Sequence, residues 1–401
     1  MAVLLPFLIV LLIVALFSRV DLFFYLLYVL SGIVVLGRLW ASRSLKAVTV
    51  RRIHADRVFQ GESVHVRLEV SNGGWLPVLW MRLHDMVPAT LGTPGLFRQV
   101  VSLAPREHLD LGYTLSANRR GYYQLGPLVA HSGDLLGSVT CKTDPLHKDS
   151  GSFVIVYPRI VPLRDLGFPS QSPFGTLPSR EQIFEDPTRI RGVRDYQRGD
   201  SLRRIDWKTS ARIGALQVKR YEPAIALETA ILLNLDSGDY AVAHRSTATE
   251  LGIVIAASLA AHLVEKRQAV GLMTNGRDPL ADSAPASAPA LPLRKGREHL
   301  MHLLDLLARI EVAAEGEALP FLEVVSRESV GLPWGSTVVL ITAQPGEGLF
   351  DTLLALRRRG LGVILIMTCP GRDVSLTIRR AEQIEVQAYY IEAERDMDGW
   401  R

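Results

Sequence analysis

The 401-residue chain has only two cysteines, Cys141 and Cys369, far apart in the sequence. That excludes a disulfide framework and the paired spacing of a zinc site. It has little charge imbalance. A formal net charge of +4 excludes a globally basic nucleic-acid binder and leaves any basic surface local. It lacks G-x-x-x-x-G-K followed by Ser or Thr; "GLPWGST" at Gly331 to Thr337 is missing the lysine. It also lacks G-x-G-x-x-G after a strand, the G-x-S-x-G elbow and H-E-x-x-H. Nucleotide, serine-nucleophile and zinc-peptidase signatures are therefore absent, and no catalytic residue is assigned. His299 and His302 stand three apart in a helical pattern, but no third metal ligand accompanies them. No internal repeat is found. A hydrophobic fraction of 48% against 21% charged fits a folded chain of two or three domains with a modest membrane part.

What is present begins at the N-terminus. "AVLLPFLIVLLIVALF" (Ala2 to Phe17) and "LFFYLLYVLSGIVVLG" (Leu22 to Gly37) carry no charge, and the turn-like Ser18 to Asp21 separates them. A spanning helix needs about 20 apolar residues, so each run is slightly short, and its flanks contribute. Tyr25 and Trp40 suit the membrane interface. No lysine or arginine precedes the first run, and no small-residue cleavage pattern follows it. Residues 1–40 therefore read as a transmembrane helical hairpin rather than a cleaved signal peptide. Arg38, Arg43, Lys46, Arg51 and Arg52 come next, which places the rest of a two-pass chain in the cytoplasm.

Residues 45–158 change to period two. "ESVHVRLEVSN" alternates through Val64, Val66, Leu68 and Val70, and further short runs follow between Gly, Pro and Asn. The pattern predicts an antiparallel β-sandwich of immunoglobulin-like size, without the Cys–Trp–Cys signature of true immunoglobulin domains. Residues 159–228 read as a connecting segment, proline-rich at first and then strongly charged. Residues 229–401 alternate buried strands with helices. "TAILLNLD", "AVGLMTN", "STVVLITA" and "LGVILIM" are the strands, which predicts a Rossmann-like α/β domain with a parallel sheet. "DPLADSAPASAPALPL", Asp278 to Leu293, reads as a flexible Ala/Pro spacer.

The densest stretch is "RGDSLRRIDWKTSAR", Arg198 to Arg212. Asp200 is expected to cap a short helix, with Leu202, Ile205, Trp207 and Ala211 burying one side and Gly214 turning the chain after it. The arginines admit three readings. Arg191, Arg194, Arg204 and Arg212 could pair with Asp195, Asp200 and Asp206 as scaffolding. They could bind a phosphate, lipid headgroup or peptide carboxylate. They could track nucleic acid, but interleaved aspartates would repel phosphates, so no nucleic-acid partner is assigned.

"GVRDYQRGDSLRRIDWKTSARIGALQVKRYE", Gly192 to Glu222, resembles the signature of the uncharacterised-domain family numbered fifty-eight. Gly192, Arg194, Tyr196, Gly199, Asp200, Arg203 or Arg204, Ile205, Trp207, Ala211, Arg212, Gly214 and Leu216 fill the family pattern. With Asp206, the docking set this implies is Arg194, Tyr196, Gly199, Asp200, Arg203, Arg204, Asp206, Trp207 and Arg212. The resemblance further implies a bacterial inner-membrane protein whose last domain is von Willebrand factor A-like. Such proteins are thought to act as adaptors or assembly factors with a MoxR-type AAA+ ATPase, beside transglutaminase-like membrane proteins, without established catalysis. The alternative is an anion-binding or catalytic use of the arginine signature. Metal-binding A domains carry D-x-S-x-S after the first strand; here Asp236 matches, but Gly238 and Tyr240 replace the serines. "ITAQPGE", Ile341 to Glu347, also lacks the usual aspartate. No cofactor is expected. Mg²⁺ at Asp236 remains the minor alternative to a residue that caps a turn.

Overall fold

The computed structural model describes residues 4–18, 20–91, 97–133, 140–143, 152–162, 185–197, 205–223, 228–280, 290–314, 316–343, 346, 348–371 and 374–399. The chain divides into two compact units, residues 1–159 with 307–309, and residues 160–306 with 310–401.

The first unit opens with two apolar helices, α1 (Leu4–Ser18) and α2 (Asp21–Lys46), which pack against each other. The 26 residues of α2 reach about 39 Å, more than the roughly 30 Å of a bilayer's hydrocarbon core. With a mean hydropathy of 2.0 in its most apolar window, α2 is long and apolar enough to cross a membrane. The 15 residues of α1 reach only about 22 Å. The hairpin expected from sequence stops at residue 40, but α2 runs on to Lys46 because its last turns have something to bury. Ala41, Ser44 and Leu45 are buried, and Leu45 joins the core of the β strands that follow.

Ten strands complete this unit: β1 (Val48–Ile53), β2 (Arg57–Phe59), β3 (Ser63–Asn72), β4 (Val78–Asp85), β5 (Phe97–Leu103), β6 (His108–Ser116), β7 (Gly121–Gln124), β8 (Leu128–Gly133), β9 (Thr140–Thr143) and β10 (Phe153–Tyr157). They form sheets of order β1-β3-β6, β2-β10-β7 and β5-β4-β8-β9. Alternation along β3 sends Val64, Val66, Leu68 and Val70 inward, and they share one core with Val50, Met81, Leu83, Leu128 and Val156. "GYYQLGPLVAHS" reads as one run in sequence, but it is two strands, β7 and β8, broken at Leu125–Pro127. Inside this apolar core lies one ionic cluster. Arg52 bonds Asp85 and the Leu125 carbonyl, and Tyr113 donates to the second Asp85 oxygen.

The second unit begins with β11 (Glu185–Asp195), α3 (Trp207–Ile213) and β12 (Gln217–Pro223). β11 and β12 pair as an antiparallel ribbon. Pro187 lies within β11, where sequence predicts irregular chain; register shifts between Asp186 and Gly192 accommodate it. The main sheet follows: β13 (Glu228–Leu233), α4 (Arg245–Glu265), β14 (Ala269–Thr274), β15 (Ala290–Arg294), α5 (Arg297–Arg309), α6 (Phe321–Glu328), β16 (Thr337–Thr342), α7 (Leu349–Arg358), β17 (Gly362–Met367), α8 (Val374–Gln383) and β18 (Gln387–Tyr390). Its order is β15-β14-β13-β16-β17-β18, parallel except for the edge strand β15. β15 occupies Ala290 to Arg294, overlapping the expected spacer; its Pro292 is tolerated because an edge strand needs fewer backbone donors.

Both faces of this sheet are covered, which is why its central strands are apolar throughout. Ala230, Leu232, Val338 and Leu340 pack against Phe321, Val325, Leu349 and Leu353 from α6 and α7. On the opposite face, Gly252 of α4 brings the helix close to Leu233 and Ile341. α4 is apolar enough to pass for a membrane span, but 78% of its apolar window is buried, so it is a core helix of this unit.

Candidate functional site

The charged segment recognised in sequence forms the β11–α3–β12 ribbon. Ile205 bridges Val218, and the Asp206 N–H donates to the Gln217 carbonyl at 2.9 Å. The helix starts where that pairing stops. Asp206 is therefore its N-cap, accepting from the Thr209 N–H at 3.0 Å, and Gly214 closes it at φ 76. From sequence the cap is expected at Asp200. Asp200, Gly199, Arg203 and Arg204 lie outside the described residues. The Thr209 backbone bond holds the Asp206 carboxyl below its ordinary range, with Lys219 adding to the effect.

Two polar residues that sequence reasoning passed over tie α3 to the ribbon. The buried Ser210 hydroxyl donates to the Asp206 carbonyl at 2.7 Å and accepts from the Gln217 N–H at 2.8 Å. The Gln217 side chain, also buried, donates to the Asp195 carboxylate at 2.6 Å. Arg194 donates to the Asp195 carbonyl, and the Tyr196 N–H bonds the Leu216 carbonyl. The Asp195 and Asp206 carboxylates each accept from an amide donor, Gln217 and the Thr209 N–H respectively. A Ser and a Gln in a polar run carry no sequence signal for burial.

Trp207 is the second correction. Expected to bury one side of the helix, it is 67% exposed, with Ile213, Leu216 and Val193 exposed beside it and Ala211 also at the surface. At about 100° per residue, Ser210 points at the ribbon and Trp207 and Ile213 flank it on either side. A two-stranded ribbon is too narrow to cover both flanks. Lys208 and Arg212 occupy the outward face.

The C-terminal ends of β13, β14 and β16 carry a second polar centre. The Asn234 amide donates to Asp239 at 2.7 Å and to Thr342 at 3.0 Å. Asn275 donates to Asn234 at 3.0 Å and accepts from the Leu235 N–H at 2.7 Å, while the Tyr240 hydroxyl donates to the Asn234 carbonyl. Asp236 accepts from the Gly238 N–H at 2.9 Å and caps a short helical turn. Among the described residues no group of three His, Cys, Asp or Glu could hold a metal ion. His299 is a buried core residue whose Nε2 bonds the Val270 carbonyl at 2.9 Å.

Against known proteins, the chain is 24% identical over 365 residues to the uncharacterized protein YeaD of Bacillus subtilis (strain 168), covering 89% of this chain and 82% of that protein. Among solved structures, the SpRpn10 VWA domain aligns with 43% of this chain and 92% of its own, at 14% identity and a TM-score of 0.29. The CARDB domain of the PF1109 protein from Pyrococcus furiosus aligns with 27% of this chain and 91% of its own, at 20% identity and a TM-score of 0.20. Residues 192–368, which begin in β11 and run through β17, match the family described as "Protein of unknown function DUF58". Over those residues the chain is similar to the DUF58 family.

Proposed function

We propose that this chain is a membrane-anchored adaptor that docks a cytoplasmic AAA+ ATPase of the MoxR type and carries out no chemistry of its own. On this reading α1 and α2 cross the bacterial inner membrane as a hairpin. The first unit is an immunoglobulin-like sandwich at the membrane surface, and the second is a von Willebrand factor A-like platform. A transglutaminase-like membrane protein is a further candidate partner.

The observation that carries the reading is the apolar surface of the signature ribbon. Trp207, Ile213, Leu216 and Val193 are exposed around a helix whose polar spine of Asp206, Ser210 and Gln217 is hydrogen-bonded within the ribbon. Fixed polar groups inside and apolar groups outside suit protein docking better than ion capture, and Trp is enriched among binding hot spots. The basic Lys208 and Arg212 on the outward face add attraction for an acidic partner.

The test is capture of the ATPase by the full chain from detergent extract. Wild type is expected to retain an AAA+ ATPase, and Trp207→Ser with Ile213→Ser to lose it at an unchanged melting temperature. Absence of the ATPase from wild-type eluates, with its expression demonstrated, would end the adaptor reading.

A further inference from the structure

We infer that the β3–β4 loop is a second membrane contact, with Trp75 seated at the headgroup–acyl boundary of the bilayer. The inference rests on the reading that α2 spans that bilayer.

The loop is fastened to the end of α2. The Trp40 indole N–H donates to the Pro77 carbonyl at 3.2 Å. The Gly73 N–H donates to the carbonyl of Ala47, the residue that closes α2, at 3.0 Å. Gly74 passes so near that a Cβ there would lie 2.8 Å from the Ala47 Cβ. Buried Asn72 braces the loop from within, donating to Leu76 at 2.9 Å and Ala104 at 3.1 Å and accepting from the Gly74 N–H at 3.0 Å. Leu76 turns into the core, and its neighbour Trp75 is left 76% exposed.

The helix sets the height of that indole. The uncharged run of α2 ends at Gly37, and Arg38 is its first cation. If the hydrocarbon ends near Arg38, Trp40 lies about 3 Å farther out along the axis. The interfacial layer on each side is about 5–7 Å deep. Trp75 is two residues from the Pro77 that touches Trp40, a reach of at most about 7 Å. Trp40 therefore falls in the layer where Trp is enriched, and Trp75 is held within reach of the same layer, where an indole turns its apolar ring toward the acyl chains and its N–H toward water. Exposed Arg43 and Lys46 on the same helix end, with Arg38, supply the charge that anionic headgroups match.

The full chain and its Trp75→Phe variant, reconstituted in vesicles of phosphatidylcholine and phosphatidylglycerol with ordinary or brominated acyl chains, test this. The wild-type-minus-variant fluorescence difference isolates Trp75. It should be blue-shifted and lose intensity in brominated vesicles, with far-ultraviolet circular dichroism unchanged by the substitution; Trp75→Tyr serves as a second variant. A red-shifted difference that ignores bromine, in chains that still float with the vesicles, overturns the loop contact and leaves anchorage standing. Failure of wild type to float with the vesicles overturns both.

Discussion

The Arg52 guanidinium donates to Asp85 at 2.5 Å with the two side chains 1% and 0% exposed, beside a core of Val, Leu, Met and Ala. Tyr113 completes the arrangement, donating to the other carboxylate oxygen at 2.7 Å. Removing one member of a buried pair strands the other's charge. Asp85→Ala is expected to cost about 3–5 kcal/mol in urea unfolding. Tyr113→Phe should cost less, about 1.5–3 kcal/mol, because it deletes one hydrogen bond to a charged acceptor.

The same cluster predicts an alkaline response. Burial, then the Asp85 charge, pushes the Tyr113 phenol well above its ordinary value; burial does the same to Tyr240. A group with a raised folded pKa contributes stability that is complete below its unfolded value and is lost as pH rises beyond it. Thermal stability should therefore fall as pH climbs past about 10, the ordinary tyrosine value. Tyr113→Phe should flatten that fall. An unchanged slope in the variant would remove Tyr113 from the effect.

At the signature helix the sign is reversed. The Asp206 carboxyl is lowered, so its contribution is present above its ordinary value of about 4 and disappears as pH falls through the lowered one. Hydrogen exchange should show α3 opening on acidification and in Asp206→Ala. Asp206→Asn, whose side chain still caps, should keep α3 protected and lose the acid dependence. Equal opening in both variants would mean the cap does not hold the helix.

Gly74 reads the mount between helix and loop. With Ala47 2.8 Å from where its Cβ would stand, Gly74→Val forces the two apart. About 1–3 kcal/mol of destabilisation is expected. Amide exchange should rise at Ala41 to Leu45. Protection there equal to wild type would show that the loop does not brace the helix.

Asn234 gives a further measurement. Its side chain bonds Asp239, Thr342 and Asn275, so Asn234→Ala should cost about 1–3 kcal/mol by leaving those groups short of partners. Mg²⁺ should leave the melting temperature of wild type unmoved. Gly238 and Tyr240 stand where hydroxyl ligands would be, and the Asp236 and Asp239 carboxylates are already bonded. A rise in melting temperature with added Mg²⁺ would restore the metal reading of Asp236.

Patterns that repeat along the chain were legible before any fold was known. Uncharged runs announce α1 and α2, because an apolar stretch of that length suits a helix rather than a strand. The alternation of Val64 to Val70 announces β3, and the continuous run at Ala230 to Leu233 a strand covered on both faces. Gly214 announced the end of α3 through its left-handed backbone. What only the tertiary structure decided were the facts that need two distant segments at once. Asp206 caps α3 because Gln217, across the ribbon, holds Asp206 in an extended backbone just before the helix starts. Trp207 faces solvent because its ribbon has two strands and not four. α2 reaches Lys46 because the β core has a place for Leu45. Local propensity and periodicity act within a few residues, so sequence carries them openly. A partner dozens of residues away supplies the free energy for the rest, and only folding determines which partner that is.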